Sequence, residues 1–231
     1  MPGGDASAFG GQPTNRTPAM TVTEWINANQ RRVPTWPFYL GLGLVPAWWF
    51  YLGLTGGLGV EPIEELEHRL GLMGLQVLLA SLAVTPLRRI AGLNLIRFRR
   101  MLGLMAFYFV SLHLLVWLVL DVQDAGRVWA DIVKRPYVTV GFAAFLLMIP
   151  LAVTSNNWSL RRLGPRWRTL HRLSYAVVIL AALHFLWLSK GFQLEPLAYL
   201  VLSLALLAVR WPKKWMPGRT RGTREPSHEQ G

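Results

Sequence analysis

Six apolar runs separated by short polar segments organise the chain, at approximately residues 37–58, 70–87, 101–120, 138–154, 170–189 and 196–211. Most reach the ~20 residues that a helix needs to cross ~30 Å of hydrocarbon. The second and sixth are short and would have to lie close to the bilayer normal. The pattern predicts an all-α polytopic membrane protein, a six-transmembrane-helix bundle over residues 37–211. Residues 1–36 are rich in Gly, Pro, Thr and Asn. They lack the charged start, short apolar stretch and small-residue cleavage site of a secretory signal, and are expected to form a disordered arm. Residues 212–231 make a polar, basic tail. No internal repeat of useful length is visible.

Composition agrees with this reading. The 231 residues are 52% hydrophobic and 16% charged, with 11 Trp, too apolar for an ordinary soluble domain of this size. A net charge of +12 could suggest nucleic acid. The basic residues, however, fall in short clusters between apolar runs and form no extended basic face, which argues against it. The absence of Cys excludes disulfides, thiolate metal sites and iron–sulfur clusters. Redox or metal chemistry would have to use His, Met, carboxylates or a bound organic cofactor.

The basic clusters set an orientation. Arg16, Arg31 and Arg32 precede the first run, and Arg88, Arg89, Arg97, Arg99 and Arg100 follow the second. Arg161, Arg162, Arg166 and Arg168 follow the fourth, and Arg210, Lys213, Lys214, Arg219, Arg221 and Arg224 lie at the end. The alternate segments are poor in basic residues: "GVEPIEELEHR" is acidic, "DVQDAGRVWADIVKRP" balanced, and "SKGFQLEP" has one Lys. The positive-inside rule then places both termini in the cytoplasm and three loops outside.

Orientation gives the histidines depths. His113 lies eight residues before Asp121 at the outer end of the third run, and His184 six before Lys190 at the end of the fifth. At 1.5 Å per residue these are ~12 and ~9 Å below the outer ends. An imidazole in lipid is costly and faces the bundle interior. A lone one is as well explained by a hydrogen bond to a neighbouring helix, but two at matching depth on different helices are a natural pair of axial ligands for haem iron. Zinc would want a third or fourth ligand, and no Asp, Glu or Cys lies at that depth.

His171 falls 13 residues before His184. On one ideal helix over "WRTLHRLSYAVVILAALHFLWLSK" this separation turns ~1300°, equivalent to ~220°, so the two do not share a face. A second, inner haem would need a ligand near the inner end of the third run, where Arg99, Arg100 and Met101 stand. His171 could bind such a haem alone or with Met101 or Met105, or it could hydrogen-bond a flavin or quinone. The arginine clusters read first as topology and lipid contacts, and most of the Trp and Tyr as interfacial anchors or packing. Pro86 and Pro150 read as helix terminators. Glu61, Glu64, Glu65 and Glu67 read as a solvated loop before a docking face.

The blocks "TPLRR", "RRMLGLMAFYFVSLH", "KRPYVTVGF", "LGPRWRTLHRLSY" and "HFLWLSK", in this order across six spans, resemble the MsrQ (YedZ) family. These are haem-binding membrane subunits of the bacterial periplasmic methionine-sulfoxide reductase system, similar in turn to the ferric reductase transmembrane domain. The similarity covers roughly residues 37–211. "GLGVEPIEELEHRLG" also resembles a family element carrying His68, with Leu70 where Thr is expected.

The resemblance implies haem b, one or two per chain, with His113, His184 and His171 as haem-associated residues, and FMN as a further cofactor. It implies an inner-membrane electron-transfer subunit that takes electrons from the quinone pool or a cytoplasmic flavin reductase. Its acceptor would be a periplasmic MsrP-like molybdopterin reductase, with which it forms a heterodimer and which itself reduces methionine sulfoxide in proteins. No glycine-rich dinucleotide fingerprint occurs in the chain. A ferric or cupric reductase, or a quinol-linked cytochrome of another pathway, would share the haem core. A small proton-coupled transporter would share only the helices, and the sequence offers neither the paired broken helices nor the mid-membrane acid of that class.

Overall fold

The computed structural model describes residues 20–30, 32–189 and 193–210, and the described residues are all-helical, without strands. Ten α-helices follow one another: α1 (Val22–Asn29), α2 (Trp36–Leu54), α3 (Pro62–Ile90), α4 (Ile96–Val116), α5 (Ala125–Lys134), α6 (Pro136–Val153), α7 (Asn157–Leu163), α8 (Pro165–Leu170), α9 (Leu173–Leu188) and α10 (Leu194–Arg210). Among the described residues five spans are long and apolar enough to cross a membrane: α2, α3, α4 with its extension to Val122, α6, and α8–α9 taken together. The sixth expected span is α10, a 17-residue helix packed on α9 and α3. The basic tail beyond residue 211 and the first 19 residues of the arm lie outside the described residues.

Helix α3 is the centre of the bundle. Its apolar window is 56% buried, against 6% for α2, so α2 is a peripheral helix that packs on the core along one side only, through residues such as Leu42, Val45 and Trp49. Leu70, Leu75, Leu78, Leu79 and Leu82 of α3 pack with Met101, Met105, Ala106 and Phe109 of α4 and with Val177 and Val178 of α9. The closest pairings are α3 with α4 and α6 with α9. Small residues allow the backbones to approach, as expected where lipid supplies no hydrophobic drive between helices. A Cβ at Gly74 would sit 2.8 Å from Val110 Cγ2. Polar groups in the bundle are satisfied across helices. Ser81 Oγ donates to the Arg99 carbonyl, Gln76 Nε2 to Tyr199 Oη, and Tyr108 Oη to the Gly43 carbonyl.

Several local expectations change. The arm is not wholly unstructured: α1 is closed by a capping box between Thr21 and Glu24, and those bonds hold the Glu24 carboxyl below its ordinary range. Asn27 anchors α1 to the α3–α4 turn through the Gly92 carbonyl and the Asn94 N–H. The acidic stretch expected as a loop forms the first turns of α3, where Glu64 and Glu65 meet the positive end of the helix dipole and Glu65 pairs with Arg69. Pro86 and Pro150 do not terminate their helices, which run on to Ile90 and Val153.

Pro86 has no N–H to offer the carbonyl of Leu82. The Arg210 guanidinium donates to it instead, with Nε at 3.1 Å, and also to Thr85 Oγ1, while Arg89 donates back to the Val209 carbonyl. The C-terminal ends of α3 and α10 are thereby clipped together. The fifth apolar run is not one uniform helix. Between α8 and α9 the backbone tightens, with Arg172 N–H bonded to the Thr169 carbonyl and Tyr175 N–H to the Arg172 carbonyl. Such i→i+3 turns rotate ~120° per residue rather than ~100°.

Candidate functional site

Two helix pairs each deliver one imidazole to the same place. His113 stands in the last turn of α4, which packs on α3, and His184 near the C-terminal end of α9, which packs on α6. Their ring centres are 6.2 Å apart and their planes are inclined by 74°. The matching depths expected from sequence therefore correspond to actual juxtaposition.

Each ring is held from behind. His113 Nδ1 lies 2.9 Å from the Glu67 carbonyl oxygen on α3, and His184 Nδ1 lies 2.8 Å from the Tyr137 carbonyl oxygen on α6. A carbonyl can only accept, so Nδ1 is the donor in both bonds. A neutral imidazole that spends its proton on Nδ1 keeps a lone pair on Nε2, and this is the arrangement that orients metal-bound histidines in general. Two imidazoles sharing one metal ion through Nε2 have ring centres about 6 Å apart, from ~2 Å per metal–nitrogen bond and ~1 Å from nitrogen to ring centre. The observed spacing and proton placement are compatible with two imidazoles that would share one metal ion through Nε2. Among the described residues no group of three or more His, Cys, Asp or Glu comes together, as a tetrahedral zinc site would need.

His68 lies in the first turns of α3, where its ring packs 5.8 Å from Phe185, the neighbour of His184. Helix α4 continues past His113 as a π-helical turn, Trp117–Val122, closed by Gln123 at φ 57°. Such widenings concentrate at functional sites. The amphipathic α5 follows on the same side, with Trp129 and Val133 exposed.

His171 is placed differently. It ends α8, its ring stacked on Trp167 with centres 3.8 Å apart, and its Nε2 lies 3.1 Å from Thr154 Oγ1. Thr154 gives its single hydroxyl proton to the Pro150 carbonyl at 2.6 Å. Its oxygen must therefore accept from His171, whose proton sits on Nε2, the reverse of His113 and His184. Trp167 Nε1 completes the cluster by donating to the Thr154 carbonyl. The local tightening between α8 and α9 turns His171 relative to His184 by more than an ideal helix would. Sequence reasoning missed Thr154 and the two backbone acceptors, which no residue type announces.

A helical membrane chain that brings two Nδ1-protonated imidazoles together between helix pairs has the makings of a transmembrane redox subunit. Residues 69–182 match the family described as ferric reductase like transmembrane component. The chain is 49% identical over 176 residues to the protein-methionine-sulfoxide reductase heme-binding subunit MsrQ of Agrobacterium fabrum, covering 76% of each protein. It is 45% identical over 199 residues to the MsrQ subunits of Brucella ovis and Brucella melitensis, covering 85% of this chain and 84% of theirs. The chain belongs to the MsrQ family. No solved structure matches it.

Proposed function

We propose that this chain is the haem-carrying membrane subunit of a methionine-sulfoxide reductase system, with haem b held between His113 and His184. The observation that carries this reading is the 6.2 Å separation of two imidazoles whose Nδ1 atoms are both committed to backbone carbonyls. When bound, the haem iron supplies one-electron redox chemistry. The chain's own residues orient the ligands and keep the site within an apolar bundle, which lowers solvent access and tunes the potential.

The basic clusters support cytoplasmic termini and an outer position for the histidine pair. In that orientation the donor is the quinone pool of the inner membrane or a cytoplasmic flavin reductase. The acceptor is an MsrP-like periplasmic molybdoenzyme, which carries out the sulfoxide reduction. His171, its Nε2 proton given to Thr154, favours a single haem, with this residue fastening the inner end of the fifth span.

A pyridine haemochrome assay with flavin extraction on the purified chain tests the cofactors. One haem b per chain is expected, and flavin recovered in stoichiometric amount would add the FMN that the family resemblance implies. Purified MsrP-like protein should reoxidise the reduced cytochrome faster than ferric chelate does. The reverse preference would make the chain a ferric reductase instead.

A further inference from the structure

We infer that Gly71 and Gly141 are positioning residues for the two imidazoles, each keeping one carbonyl oxygen open to a histidine Nδ1–H. The inference rests on the ligand reading proposed above and extends it to residues on the opposite helices.

The two half-sites are built alike. Gly71 stands four residues after Glu67, the acceptor for His113, and Gly141 four after Tyr137, the acceptor for His184. In an α-helix the carbonyl of residue i points toward the N–H of residue i+4, and the side chain of i+4 leans back over that turn. Any Cβ at i+4 therefore stands where an incoming ring must reach the oxygen. A Cβ at Gly141 would be 2.7 Å from His184 Nδ1, 2.9 Å from Cε1 and 3.0 Å from Cγ. One at Gly71 would be 3.1 Å from His113 Nδ1 and 3.2 Å from Cε1. Glycine at these offsets lets the helix carbonyl keep its own partner and accept the imidazole as well.

Ordinary helix packing does not account for both positions. Gly74, one turn along α3, faces Val110, and Gly103 on α4 faces open space. Among the described glycines, Gly71 and Gly141 are the two whose added Cβ would meet a histidine ring. The contacts also rank them. At Gly141 the ring must move, whereas at Gly71 a few tenths of an ångström suffice.

The chemical consequence follows from the hydrogen bond. An Nδ1–H bonded to a carbonyl makes Nε2 a stronger donor to iron, which favours the oxidised metal. Weakening that bond should raise the midpoint potential.

The test uses the full-length protein purified with its haem. Gly141→Ala, Gly71→Ala, Gly74→Ala and Gly103→Ala are compared for haem per chain, low-spin spectrum and midpoint potential. Gly141→Ala is expected to lose most of its haem, and Gly71→Ala to retain more while titrating at a higher potential than wild type. Gly74→Ala should lower thermal stability with the potential unchanged, and Gly103→Ala should match wild type throughout. Equal haem content and potential in Gly71→Ala, Gly141→Ala and Gly103→Ala would overturn the inference, as would a shift in Gly74→Ala as large as in Gly71→Ala. His113→Ala and His184→Ala separate the two levels. If they keep wild-type haem, the ligand reading fails and this inference with it; if they lose haem while the glycine variants stay silent, only this inference fails.

Discussion

The protons on three imidazoles distinguish their roles more sharply than their depths do. His113 and His184 both donate through Nδ1 to carbonyls, and His171 donates through Nε2 to Thr154. The common level of His113 and His184 was readable from sequence, because helical rise converts residue count into distance. The proton positions were not, since a backbone acceptor carries no residue letter. Gly71 and Gly141 lay in plain view inside "GLGVEPIEELEHRLG" and "KRPYVTVGF", but nothing in either string says which helix faces it. His171→Ala should leave the outer low-spin spectrum in place and loosen the Trp167–Thr154 cluster, with Thr154→Val as a milder version. Absorption spectra with thermal melts of both variants check this. Loss of the low-spin bands in His171→Ala would move His171 into the ligand set.

At the level of elements, apolar runs located the helices but not their ends. Helix α3 begins eight residues before its apolar run because acids in a first turn stabilise a helix start. It also outlasts Pro86, because Arg210 supplies the donor that proline lacks. That second compensation joins residues far apart in sequence and cannot be read locally. The arm's helix α1 was missed for a related reason: its docking to the α3–α4 turn through Asn27 is tertiary. Arg210→Ala would leave the Leu82 carbonyl and Thr85 without this partner inside the bundle, at a cost of roughly 1–3 kcal/mol. A lowered unfolding midpoint in detergent is expected, with haem content preserved because the clip lies at the opposite end of α3 from the histidine pair. An unchanged midpoint would show that the Leu82 carbonyl finds another donor.

For the molecule as a whole, the bundle and the candidate site were legible because solvent and charge dictate both: lipid demands helices, and imidazoles in lipid must turn inward. The pairing of α3 with α4 and α6 with α9 was not legible, since apolar faces in a membrane carry little directional pattern. The orientation that would give the site an outward role is tested by reporter fusions. One after Gly231 should report cytoplasm and one near Ala125 periplasm, and the opposite result at both would reverse the proposed direction of electron flow. The central claim is that His113 and His184 together ligate one iron. The most direct measurement is the absorption and electron paramagnetic resonance spectrum of the oxidised protein, with haem stoichiometry, for wild type, His113→Ala and His184→Ala. Two imidazoles holding a haem iron with their planes inclined by 74° would leave its two dπ orbitals nearly equal in energy. Wild type should therefore give a strongly anisotropic low-spin signal with one large g value, and either substitution should abolish that signal and most of the haem. Wild-type haem content and an unchanged low-spin signal in both variants would contradict the account.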